Sequence, residues 1–215
     1  MKTRITMAIG LLAVSGVASA DWSANIGFQS DYYFRGIFQK SASAQGGLDY
    51  EHDSGFYVGT WVADVGGDIA GDGLEVDLYG GWGGSSGDFS YGIGFTGYYY
   101  TGEFDDTYEE INLNLGYGIA SLEYSVGEWD GFGDDADYDF IALTLESESG
   151  FYGTYGSFGK DFDGDYIELG WGTTISDIDI GIAAILSSDE LSDELDSDGD
   201  PEESEAIVFS ISKSF

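Results

Sequence analysis

From Trp22 onward the sequence returns repeatedly to an alternation of period two, and a chain that alternates over most of its length folds as β-structure. Trp22, Ala24, Ile26 and Phe28 alternate with Ser23, Asn25, Gly27 and Gln29. Leu74, Val76, Leu78, Gly80 and Trp82 alternate with Glu75, Asp77, Tyr79 and Gly81, and Phe89, Tyr91, Ile93 and Phe95 with Ser90, Gly92, Gly94 and Thr96. The pattern recurs at Ile111, Leu113, Leu115 and Tyr117, at Ala120, Leu122, Tyr124 and Val126, and at Ile167, Leu169, Trp171 and Thr173. It closes with Ile178, Ile180 and Ile182, then Ile207, Phe209, Ile211 and Phe215. Weaker strands fill the gaps at Gly46 to Glu51, Phe56 to Asp64, Tyr138 to Glu146 and Phe151 to Phe158, where both faces carry apolar residues. The total is about twelve strands, an even number, with no helical periodicity.

The connections fall into two alternating classes. Glu51 to Gly55, Gly83 to Asp88, Gly116 to Ile119, Ser147 to Gly150 and Ile175 to Asp177 are short and rich in glycine or serine. Asp31 to Gln45, Val65 to Gly73, Thr101 to Thr107, Glu128 to Asp137, Gly159 to Gly164 and Ser187 to Ser204 are longer and hold most of the acid. Outer-membrane barrels sort their connections this way, with short periplasmic turns and longer extracellular loops. A soluble sandwich with Greek-key connections has no reason to do so. Trp22, Trp82, Tyr91, Tyr117 and Trp171 lie near the expected strand ends, where rings form interfacial girdles. The expected fold is all-β: a transmembrane antiparallel up-and-down barrel of about twelve strands. The rival is a secreted, soluble, acid-rich β-protein, for which the loop sorting would be a coincidence.

Composition narrows the function. With 41 acidic against 6 basic side chains and a formal net charge of −35, the chain would be repelled by nucleic-acid phosphates. No cysteine means no disulfide frame, no zinc finger and no thiol nucleophile. Aromatics at 16% set the chain apart from acidic disordered tails. The single proline suits a closed ladder, in which proline cannot donate.

The first residues read as an address. Lys2 and Arg4 form a positive n-region, Ile5 to Val17 an apolar stretch, and Ala18-Ser19-Ala20 a cleavage signature. Residues 1–20 are therefore expected to be a signal peptide and 21–215 the barrel domain. No later segment can span a bilayer as a helix, since the best apolar run, Ile180 to Leu186, is far short of roughly 20 residues.

Several stretches also carry a family resemblance. Ser30-Asp31-Tyr32-Tyr33-Phe34-Arg35-Gly36, Gly47-Leu48-Asp49-Tyr50, Gly55-Phe56-Tyr57-Val58-Gly59-Thr60-Trp61 and Leu74-Glu75-Val76-Asp77-Leu78-Tyr79-Gly80-Gly81 resemble successive motifs of the TorF family of proposed porins, the proteobacterial Gcw_chp family. Tyr98-Tyr99-Tyr100 and the ending Ser210-Ile211-Ser212-Lys213-Ser214-Phe215 are similar too. The resemblance implies an outer-membrane barrel with a pore role, and the strongly acidic loops depart from it.

Parity places the candidate pore-lining residues: Arg35, Glu75, Asp77, Glu110, Asn112, Asn114, Glu123, Glu168 and Asp179. Arg35 is expected to pair with Glu75 or Asp77 across the interior, and the carboxylates to favour cations. Asp161, Asp163 and Asp165, with Asp196, Asp198 and Asp200, look like fragments of calcium loops but lack EF-hand spacing, so they are weak metal candidates. His52, the only histidine, falls in a short turn on the side away from the acidic loops, which disfavours a serine-hydrolase triad. No catalysis and no cofactor are expected. The reading is a porin-like channel for small solutes or ions in the outer membrane. The alternative is a structural or adhesive barrel with a plugged lumen and acidic, divalent-binding loops. Expected partners are outer-membrane lipid, lipopolysaccharide and the barrel-assembly machinery through Phe215, with a monomeric state.

Overall fold

A computed structural model describes residues 21–66 and 71–215, so the expected signal peptide and part of one loop lie outside the described residues. Twelve strands run β1 Asp21–Phe34, β2 Ile37–Glu51, β3 Phe56–Val65, β4 Gly73–Ser86, β5 Phe89–Tyr100, β6 Tyr108–Tyr117, β7 Ala120–Trp129, β8 Ala136–Glu146, β9 Phe151–Lys160, β10 Asp165–Ile175, β11 Ile178–Ser187 and β12 Ser204–Ser214. Each is antiparallel to its neighbours, and β1 pairs with β12 to close the barrel. A 3-10 turn, Asp189–Leu191, is the only helical element among the described residues. The connections after β2, β4, β6, β8 and β10 define a short-turn end; those after β3, β5, β7, β9 and β11 define a long-loop end.

The wall is turned inside out relative to a water-soluble protein. Ile26, Leu78, Ile93, Ile111, Leu113, Leu143, Leu169 and Phe209 all stand exposed on the outer face. The alternate residues of the same strands, including Glu75, Asp77, Glu110 and Ser125, are buried inside. The strands whose faces the pattern left open also resolve, with Tyr57 and Ala63 of β3, Tyr138, Phe140 and Thr144 of β8 and Phe158 of β9 turned inward.

All five girdle candidates lie in the half nearest the short turns. Trp22 packs on Tyr50 at 5.1 Å, Trp82 on Tyr91 at 5.6 Å, and Trp171 on Phe151 at 6.4 Å. Trp171 Nε1 donates to the Ser149 carbonyl at 3.2 Å and Trp82 Nε1 to that of Ser54, so the indoles also cap turn carbonyls.

One connection differs from expectation. Asp31 to Gln45 is not a loop: β1 continues to Phe34, β2 begins at Ile37, and only Arg35 and Gly36 join them. Both have positive φ, 49° and 83°, as a two-residue type I′ hairpin turn requires. The usual signal for such a turn is Asn-Gly or Asp-Gly, and Arg-Gly conceals it.

Candidate functional site

The β1–β2 hairpin outruns the wall that holds it. The β1–β12 ladder runs from Asn25↔Ser214 to Gln29↔Ser210, and the β2–β3 ladder stops at Gln45↔Ala63. Beyond those points the hairpin arms pair with each other, through Asp31↔Ser41 and Phe34↔Ile37, with a register shift between Tyr32 and Tyr33. Beyond both ladders, with Gln39, Lys40 and Ser43 still bonded to Gly66 and Asp64, the tip folds inward. Inside the barrel it contacts β5, β6, β7, β8, β10 and β11.

Arg35 anchors the tip. Its guanidinium donates to both oxygens of Glu110, at 2.8 and 2.9 Å, to Glu123 Oε1 at 2.6 Å and to Ser125 Oγ at 3.2 Å. It stacks over Phe140 at 4.2 Å and near Phe34 at 5.0 Å. Glu110 is further held by the hydroxyls of Tyr98 at 2.7 Å and Tyr138 at 2.9 Å and by Asn112 Nδ2 at 2.7 Å. A bidentate, ring-stacked guanidinium is a geometry that lysine cannot reproduce. Next to it, Ser187 Oγ donates to the Gly36 carbonyl at 2.6 Å. A Cβ on Gly36 would lie 2.7 Å from the Cβ of Tyr166, so the tip sits against the wall without room to spare.

This corrects the expected pairing. Arg35 bonds Glu110 and Glu123, not Glu75 or Asp77. The register shift and the inward fold carry the residue past β4 to the opposite wall. Glu75 is instead held by Tyr32 of the hairpin, whose hydroxyl donates to Oε1 at 2.8 Å. Tyr32 packs edge-on against Trp61, with ring centroids 5.6 Å apart.

Of the other candidates, Asn112 joins this cluster, while Glu168 and Asp179 bond elsewhere. Asn112 shares the Glu110 network, donating also to Ser125 at 3.0 Å. Asn114 lies one inward step further down β6. Glu168 accepts the hydroxyl of Tyr152, and Asp179 accepts that of Thr174 near the short turns. Phe140, Tyr98, Tyr138, Ser125 and Ser187 went unrecognised as anchor residues in the sequence. Only the tyrosine run hinted at them: Tyr98 is buried inside, while Tyr99, one residue on, reaches Glu109 of the exposed face at 3.4 Å.

Three of the loop carboxylates, those of Asp161, Asp163 and Asp196, accept backbone amides. Asp196 Oδ1 accepts the amides of Asp198 at 2.8 Å and Asp200 at 3.0 Å. Asp163 accepts from Gly164 at 2.8 Å and Asp161 from Asp137 at 3.0 Å, while the amide of Asp165 is bonded by Ser188 at 3.1 Å. No group of three or more His, Asp or Glu residues converges around a metal position among the described residues. His52 bonds only the turn, through Ser54.

The profile of a family described as "Bacterial protein of unknown function (Gcw_chp)" matches residues 13–157. The chain belongs to this family. No curated protein matches this Gcw_chp member. Among solved structures it is similar to the outer membrane protein opdK from Pseudomonas aeruginosa, with 12% identity, a TM-score of 0.40 and 82% of this chain covered. It spans only 57% of the opdK chain. It is also similar to OmpT from Vibrio cholerae, an outer membrane protein in trimer form, with 10% identity, a TM-score of 0.31, and coverage of 92% of this chain and 98% of that one.

Proposed function

We propose that this Gcw_chp chain is an outer-membrane barrel of the TorF type that passes small solutes or ions, with the β1–β2 hairpin restricting the passage. The membrane reading rests on the apolar outer face, which is far more extensive than the exposed patches of water-soluble monomers. The long acidic loops face the exterior, export follows from the leader at 1–20, and Phe215 serves insertion. The barrel is a monomer among outer-membrane lipid and lipopolysaccharide, and it is not an enzyme.

The observation that carries the function is Arg35 locked to Glu110 and Glu123 across the lumen. A hairpin tied to the far wall narrows whatever aqueous path twelve strands leave. Inside, Asp49, Glu168 and Asp179, none of them paired with a basic side chain among the described residues, give a path lined by carboxylates, which favours cations. The same packing favours a second reading, a structural or adhesive barrel with a permanent plug. Buried Tyr138, Phe140, Phe158 and Tyr166 gather with Leu191 into an apolar cluster beside the tip.

Planar-bilayer recording separates the two. The full chain should conduct weakly, with reversal potentials under a salt gradient showing cation preference. A variant whose hairpin is cut back to a tight turn after Ser30 should conduct at least about tenfold more, since the widened path then admits hydrated ions. Silence in both would establish the plugged barrel, and anion preference would remove the carboxylate argument.

A further inference from the structure

The interior charge does not balance. Arg35 answers Glu110 and Glu123, whereas no basic side chain among the described residues bonds Glu75 or Asp77. These two carboxylates sit on one face of β4, two residues apart, with Cα atoms about 7 Å from each other by strand geometry. Glu75 is 0% exposed and Asp77 8%. Tyr32 holds one oxygen of Glu75, but Glu75 Oε2 and Asp77 Oδ1 are buried with no hydrogen-bond partner.

Two buried, unpaired carboxylates carry a cost of several kcal/mol per ion unless something compensates them. Protonation removes the charge but not the difficulty. A neutral carboxyl presents an O–H that itself needs an acceptor, and Glu75 Oε2 and Asp77 Oδ1 have no hydrogen-bond partner to serve as one. A cation satisfies both demands, since it neutralises the pair and takes up their lone pairs. The donors are hard oxygens, two carboxylates with the Tyr32 hydroxyl beside them, which suit calcium-class ions rather than soft metals.

We propose that Glu75 and Asp77 bind a divalent cation of the calcium class inside the barrel, beneath the β1–β2 hairpin. The ion is a second internal positive charge beside Arg35. Tyr32, bonded to Glu75, thereby couples the hairpin arm to the ion. The assignment does not depend on whether the lumen conducts.

The test uses the full barrel in detergent micelles, stripped with a chelator and titrated with terbium. Trp61, which pairs with Asp77 in the β3–β4 ladder, and Tyr32 lie close enough to sensitise terbium emission when the rings are excited. The expected result is a saturable emission component that calcium displaces. Glu75→Gln with Asp77→Asn should weaken that component at least about tenfold, because ligand charge sets affinity in oxygen sites. Asp196→Asn, Asp198→Asn and Asp200→Asn together should leave it unchanged. Survival in the double variant, loss in the loop variant, or no saturable component in the parent would each overturn the assignment. If the double variant lacks heat-modifiable gel mobility, Asp77→Asn alone is read in its place, with the same expectation.

Discussion

Arg35 joins the hairpin to three elements of the far wall, and its charge is the one that Glu110 and Glu123 need. Its side chain is 8% exposed and that of Glu110 0%, so truncation strands carboxylates away from water. Arg35→Ala should cost about 3–5 kcal/mol, the usual penalty for breaking a buried pair from one side. Arg35→Lys should cost less, keeping the charge but losing the bidentate grip and the stack on Phe140. Urea unfolding followed by heat-modifiable mobility would rank the two, and equal losses would mean that charge is immaterial. At the opposite extreme of exposure, the amides of Asp200 and Asp198 hold the Asp196 carboxyl below its usual range. A depressed folded value adds stability above the unfolded value and loses it as pH falls. Protection of the Asp198 and Asp200 amides, taken relative to their intrinsic exchange rates, should therefore fall only below about pH 3.9. Loss of protection already at higher pH would contradict the bonding seen. Parity along β1 was enough to suggest that Arg35 points inward, but not which carboxylate it meets. That choice depends on a register shift at Tyr32 and on where two ladders end, neither of which leaves a trace in local sequence.

At the scale of elements, the hairpin and the wall are separable. Residues from Asp31 to Ser43 form no ladder with β12 or β3, so removing them takes away no ladder of the wall, although it loses the bonds of Gln39, Lys40 and Ser43 to Gly66 and Asp64 at the end of β3. The shortened variant should still close, with heat-modifiable mobility retained even where conductance changes, and loss of mobility would mean that the tip holds the wall together. The wall strands were legible because their alternation is enforced twice, by an apolar outside and a polar inside. In β6, exposed Ile111, Leu113 and Leu115 alternate with sheltered Glu110, Asn112 and Asn114, as the pattern implies. Strands β8 and β9 were ambiguous because their inner faces also carry rings, Tyr138, Phe140 and Phe158. Those rings pack against the hairpin tip and Leu191, partners that only the folded chain brings near.

For the whole molecule, two faces of opposite polarity make opposite demands on the same substitution. Leu113→Lys, on the outer band, should destabilise the lipid-embedded barrel by about 2–4 kcal/mol, the cost of a cation at the bilayer midplane. Asn112→Lys, one residue away and facing inward among carboxylates, should cost far less. Urea titration in vesicles would compare them, and equal costs would argue against a lipid-facing wall. The acid surplus explains the tyrosines: with so few bases, the chain satisfies inner carboxylates by hydroxyl donors, as Tyr32 does for Glu75 and Tyr98 for Glu110. The β1–β12 seam sets the order of events. It unites Asn25 with Ser214, and the Ala24 and Phe215 backbones bond each other at 2.8 and 3.2 Å, so nearly the whole polypeptide lies between the joined segments. Contacts so remote in sequence form slowly. Until they form, the nascent wall is an open sheet with two unpaired margins, prone to join other chains. Closing the seam removes both margins at once.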